Sequence, residues 1–166
     1  MADTGQPFWP HGIPTQGMIE TQPVITEGRL FFGSGDGRIY ALDAASGGEY
    51  WRYSTPDCIF ASQVLAGRTL YLAYSGQLLA ALDPLSSQPK WEFNTPTTLR
   101  QPPLVMGNTV YFVGESDPNL YALNPQDGSL LWQLDTGDWL SSRPIQSGSH
   151  LLLAGKDGSI LIYKNP

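Results

Sequence analysis

An all-β chain built from small repeated sheets is predicted by three observations. The segment Ala41-Leu42-Asp43 with Gly47 and Trp51 returns as Ala81-Leu82-Asp83 with Trp91, and again as Ala122-Leu123-Asn124 with Gly128 and Trp132; the tryptophans are 40 and 41 residues apart. Between these landmarks the apolar runs are short and cut by glycine-containing turns, a spacing that suits hairpin-linked strands and is too short for helices. The period also holds elsewhere: Leu30, Leu70, Val110 and Leu151 step by 40, 40 and 41 residues, as do Ile19, Ile59, Leu99 and Leu140, and Val24, Val64, Leu104 and Ile145. A unit of about forty residues cannot bury both faces of its sheet alone, so neighbours must stack around an axis. The predicted fold is a β-propeller of four four-stranded blades per chain.

The elements follow in order. Blade 1 spans about residues 19–55. Its strands are read as Ile19 to Val24, Leu30 to Phe32 after the turn at Glu27-Gly28, Ile39 to Leu42 after Gly35-Asp36-Gly37, and Trp51 to Tyr53 after Ser46-Gly47-Gly48. Blades 2 and 3 repeat this over about 59–95 and 99–136, and blade 4 covers about 140–163 through Leu151-Leu152-Leu153 and Ile160-Leu161-Ile162. The fourth strand of blade 4 is expected from the other terminus, at about residues 7–10, because Phe8-Trp9 precedes Ile19 as Trp51 precedes Ile59, with two extra residues. Strand exchange of this kind closes the ring and removes an open sheet edge.

The turn between the third and fourth strands accounts for the repeated Asp, Gly and Trp. Asp43, Asp83 and Asn124 can accept backbone N–H bonds in Asx-type turns, and Gly47 and Gly128 can take a left-handed backbone there. Ser87 interrupts the glycine column. Trp9, Trp51, Trp91 and Trp132 offer large apolar rings, and Ala41, Ala81 and Ala122 leave room for a ring to lie against the next blade. These residues are read as structural docking groups that join blades.

The spelling A-x-D-x-x-x-G-x-x-x-W resembles the tryptophan-docking motif of pyrroloquinoline-quinone-like β-propeller repeats, over roughly residues 19–163. Such repeats occur in quinoprotein dehydrogenases, in the propeller lipoprotein of the outer-membrane β-barrel assembly machinery and in sensor domains of some bacterial kinases. The dehydrogenases use a vicinal disulfide, a calcium held by acidic and amide side chains, and a catalytic aspartate. This chain has a single cysteine and no matching acidic cluster, so the resemblance implies the docking tryptophans and no more. Rings in these families usually have seven or eight blades. The chain is therefore expected to form a four-bladed ring, half of an eight-bladed ring shared by two copies, or part of a longer chain.

Composition bounds the function. Net charge is −6 and the nine basic residues are scattered, which argues against nucleic acid. No apolar run approaches the length of a membrane-spanning helix. Met1-Ala2-Asp3-Thr4 lacks the basic start and apolar stretch of a signal peptide, whereas the resemblance favours an exported protein, so compartment stays open. Cys58 has no internal partner.

Candidate chemistry is sparse. The histidines are His11 and His150, too few for a multi-histidine metal site. Cys58 is read as a packed thiol, and Gly35-Asp36-Gly37, Lys156-Asp157-Gly158 and the Asp135/Asp138 pair as turns that lack further ligands for a hard cation. No catalytic residue, cofactor or metal is expected. What remains is the channel lining, expected from Glu20-Thr21-Gln22, Phe60-Ala61-Ser62, Arg100-Gln101-Pro102 and Ser141-Ser142-Arg143, with Glu20, Gln22, Gln63, Arg100, Gln101 and Arg143 as its polar groups. The sequence thus points to a non-enzymatic binding or assembly module whose partner is another protein or a second copy of itself. The alternatives are a small-molecule, quinone-like sensor and a structural half-propeller.

Overall fold

The computed structural model describes residue 9, residues 12–13, 15–140 and 142–164. Blade 1 is an antiparallel sheet of β1 (Val24–Thr26), β2 (Arg29–Ser34), β3 (Arg38–Asp43) and β4 (Glu49–Ser54), in that order. Blade 2 repeats it with β5 (Val64–Ala66), β6 (Thr69–Tyr74), β7 (Leu78–Leu82) and β8 (Pro89–Asn94), and blade 3 with β9 (Leu104–Met106), β10 (Thr109–Val113), β11 (Asn119–Leu123) and β12 (Leu130–Asp135). Blade 4 has β13 (Ile145–Ser147), β14 (His150–Ala154) and β15 (Ile160–Lys164). The described residues contain no helix.

The inner strands are shorter than the sequence suggests. The run from Ile19 joins a ladder only at Val24. The preceding residues cross between blades, because the Thr21 hydroxyl donates to the Gly33 carbonyl at 2.9 Å and accepts the Gly33 N–H at 3.0 Å, which fastens the connector to β2 by side chain. Each connector is then tied to its own blade: the N–H groups of Gly35, Ser75, Glu115 and Lys156 donate to the carbonyls of Met18, Cys58, Thr98 and Trp139.

Side-chain alternation along β2 and β3 sends residues to both faces. Blades 2 and 3 bury both faces against neighbouring blades, whereas the rear face of blade 1, with Phe32, Tyr40 and Leu42, is covered by Trp9 and Ile13. Phe31, Ile39 and Ala41 of blade 1 meet Leu70, Leu72 and Leu82 of blade 2. Ala73, Leu79 and Ala81 meet Val110, Phe112 and Leu123, and Tyr111, Val113 and Ala122 meet Leu151 and Leu153. The core between blades is thus a row of three layers, each with a tilted aromatic pair in the same columns, Phe31–Trp51 at 5.8 Å, Tyr71–Trp91 at 5.8 Å and Tyr111–Trp132 at 5.7 Å, and the middle layer adds Phe93–Phe112 at 5.9 Å. Gly33 shows how close the blades come, since a Cβ there would lie 2.4 Å from Ile59. The outer strand β4 is different: Glu49 and Arg52 face solvent and pair with each other at 2.7 Å, a charged edge that discourages further strand pairing.

Among the described residues the four sheets do not join into a ring. β15 pairs only with β14 among the described residues, and Ile160 and Ile162 stand exposed on blade 4. The closing strand expected at residues 7–10 lies, apart from Trp9, outside the described residues.

Candidate functional site

The docking groups form one joint, used repeatedly. In blade 1, Asp43 Oδ1 accepts the N–H groups of Ala45 at 3.1 Å and Ser46 at 2.7 Å, while the Tyr50 hydroxyl donates to Oδ2 at 2.7 Å. These bonds, the Tyr50 one foremost, hold the Asp43 carboxyl down at about 2. Asp83 accepts from Leu85 and Ser86, both at 2.9 Å, and is lowered in turn, chiefly by the Ser86 N–H. Asn124 accepts from Gln126 at 3.0 Å. Gly47 and Gly128 have φ of 74° and 72°, and Ser87, which interrupts the glycine column, still takes φ 62°.

With the turns fixed this way, a carbonyl is presented to the preceding tryptophan. The indole of Trp51 donates to Pro84 O at 3.1 Å, that of Trp91 to Pro125 O at 2.9 Å, and that of Trp9 to Ala44 O at 3.2 Å. Trp132 packs against the cluster that holds Leu151 and Leu153 of blade 4. The joint is mechanical: Trp51 and Trp91 each reach from one blade and are gripped by the turn of the next.

The inner strands face a concavity. One part, about 370 Å³, is lined by Gln22, Val24, Ser62, Gln63, Pro102 and Arg143 among others, and a second, about 260 Å³, by Ala66, Leu104, Val105, Ile145 and Gln146 among others. The two share Val64, Leu65 and Arg143, so they are regions of one surface contributed by all four blades. Its walls mix aliphatic strand residues with a few polar groups, and the exposed Arg143 has no ion-pair partner among the described residues.

The six polar groups expected at the channel are dispersed. Gln22 and Arg143 line the concavity, and Gln63 reaches it but is buried, its Nε2 donating at 2.8 Å to both Gln22 O and Phe31 O. Gln63 therefore clamps blades 1 and 2. Arg100 and Gln101 line a separate crevice of about 120 Å³ with Glu115, Leu140 and Lys156, where Arg100 pairs with Glu115 at 2.8 Å. Glu20 is exposed. Ser141 and His11 lie outside the described residues.

Asp117 escaped the sequence reading of the hairpins, and Asp36 was read there only as a turn residue. Asp117 is buried and accepts the Asn119 N–H at 2.9 Å and the Tyr121 hydroxyl at 2.8 Å; Asp36 accepts the Tyr40 hydroxyl at 2.7 Å. Burial, then the bond to Asp117, pushes the Tyr121 phenol up. Burial opposes ionisation of Asp36, but the bonds from Tyr40, Gln16 and Ser34 and the charge of Arg38 outweigh it and lower the carboxyl. The shared spelling D-x-x-x-Y was the available signal. Cys58 donates to Gly35 O at 3.2 Å, and His150 is exposed at the start of β14. Among the described residues, no three His, Cys, Asp or Glu side chains converge as a metal site, and no helix is long and apolar enough to cross a membrane.

Residues 1–162 match the family described as outer membrane protein assembly factor BamB. No curated protein matches the sequence at a significant level. Among solved structures, the computationally designed Ika4 protein superposes with a TM-score of 0.84 at 13% identity, over 98% of this chain and 100% of the other. BamB from Moraxella catarrhalis gives 0.77 at 18% identity, covering 91% of this chain and 48% of that one. The quinohemoprotein alcohol dehydrogenase ADHIIG from Pseudomonas putida HK5 gives 0.78 at 14% identity, covering 95% and 34%. At these identities the likeness is one of fold. The chain spans the whole of the designed protein but about half of that BamB.

Proposed function

Because the chain belongs to the family described as outer membrane protein assembly factor BamB, we propose that it is a non-enzymatic binding and assembly module that holds protein segments against its inner strands. The observation that carries this is the concavity itself: aliphatic strand residues from four blades, with Arg143 the cation facing it. An extended segment with alternating apolar side chains and an acidic group complements such a surface in shape and charge, and main-chain edges of inner strands are a common platform for extended peptides. The acidic turn residues are engaged elsewhere, since Asp43, Asp83 and Asp157 accept local backbone N–H groups.

Fluorescence anisotropy with a labelled extended peptide of that pattern tests the proposal. Saturable binding weakened about tenfold by Arg143→Glu, a loss of about 1.4 kcal/mol, is expected, with melting unchanged. Stabilisation by pyrroloquinoline quinone with calcium, and no peptide binding, would instead favour a small-molecule sensor.

A second reading, part of a larger ring, is favoured by the open face of blade 4, where Ile160 and Ile162 are exposed.

A further inference from the structure

The three joints within the chain define what a blade needs on each side. At each, one residue of the entering connector is sealed between blades: Ile59, Leu99 and Leu140 are 0%, 1% and 4% exposed. Ile19 occupies the same column ahead of blade 1 and is 47% exposed. The forward faces behave alike. Phe31, Tyr71 and Tyr111 are buried against the following blade, whereas on blade 4 the cross-strand row Ile145–Leu152–Ile162, with Ile160 beside it, leaves Ile145, Ile162 and Ile160 52%, 62% and 70% exposed. One chain therefore carries an open forward face on blade 4 and, ahead of blade 1, an exposed Ile19 beside a rear face that Trp9 and Ile13 already cover over Phe32, Tyr40 and Leu42.

Trp9 identifies what is missing. It bonds Ala44 O and lies 3.2 Å from where a Cβ on Gly47 would be, as Trp91 bonds Pro125 O and lies against Gly128. Trp9 thus occupies the slot for the tryptophan of a blade preceding blade 1. Blade 4, the sheet that shows three strands, is the one that lacks such a tryptophan strand among the described residues.

We propose that two copies of this chain close one ring, the exposed face of blade 4 in each packing on the Ile19 side of blade 1 in the other. A two-fold axis forms both joints at once, so every apolar face is used and the assembly stops at two. The proposal rests on the larger-ring reading and is independent of what the concavity binds.

The internal joints also supply the test. Ile59 touches Gly33, and the column of Gly33 continues through Ala73 and Val113 to Ala154, so Ile19 of one copy meets Ala154 of the other. Ile19→Cys with Ala154→Cys in a Cys58→Ser background is oxidised and run on a non-reducing denaturing gel. A covalent species of twice 18.2 kDa is expected, absent from each single-cysteine variant. An internal crosslink at 18.2 kDa means a four-bladed closed ring and overturns the proposal together with the larger-ring reading. A ladder of higher species overturns two-copy closure alone. Absence of any crosslink in a protein that melts cooperatively overturns both. If the variant does not fold, the solution mass of the unmodified chain decides, one copy overturning the proposal.

Discussion

Trp91 donates its indole N–H to the carbonyl of Pro125, and its ring occupies the space that a Cβ on Gly128 would need, 2.6 Å away. Side chain and turn are fitted to each other across a blade boundary. Gly128→Ala meets both a left-handed backbone and the ring, so it should cost about 2–4 kcal/mol. Gly67 also has a positive φ but open space around it, so Gly67→Ala should cost only about 1 kcal/mol. Urea unfolding of both variants checks the contrast, and equal costs would remove the tryptophan from the explanation.

Gln63 is the inter-blade clamp of blades 1 and 2. Gln63→Leu strands the carbonyls of Gln22 and Phe31 and should lose about 1–3 kcal/mol by urea denaturation. Gln63→Glu is more informative. It sets a carboxylate against two carbonyl oxygens, so its folded pKa rises above the unfolded value of about 4.3. A raised pKa means stability present at low pH and lost as pH rises through it. The deficit of Gln63→Glu relative to the parent should accordingly be larger at neutral pH than near pH 4, measured by thermal melting.

Tyr74 is buried between blades 1 and 2, and its hydroxyl has no hydrogen-bond partner among the described residues. Burial pushes its phenol up. Tyr74→Phe removes the stranded hydroxyl while keeping the ring, and should stabilise the protein by about 1–2 kcal/mol, seen as a higher Tm. A lower Tm would mean that the hydroxyl is satisfied.

Asp43 gives a pH test of the docking turn. Its folded pKa is lowered from 3.8 to about 2, so its contribution is present above 3.8 and lost as pH falls towards 2. Asp43→Asn keeps an acceptor, as Asn124 does in blade 3, but cannot titrate. The Tm difference between parent and Asp43→Asn should be constant above about pH 4 and change between pH 4 and 2.

The blades were legible in the sequence because their markers repeat. Trp51, Trp91 and Trp132 share a column, and the turn chemistry of Asp43, Asp83 and Asn124 is local, so spacing and residue type suffice. Gln63 was not legible as a clamp: a polar side chain beside an inner strand reads as channel lining until the carbonyls of another blade are placed next to it. Its signal was positional, since it stands in the column of Pro23, Pro103 and Pro144. The exposure of Ile19 was hidden for the opposite reason. Its column predicts burial, and only the tertiary arrangement leaves it 47% exposed.

The central claim is that one blade-to-blade joint, used three times within the chain, is completed by a second copy. Sedimentation equilibrium of the unmodified chain is its most direct test. The account predicts a mass twice 18.2 kDa that falls to 18.2 kDa in Ile162→Asp, with cooperative melting retained. A parent mass of 18.2 kDa across the accessible concentration range would contradict it.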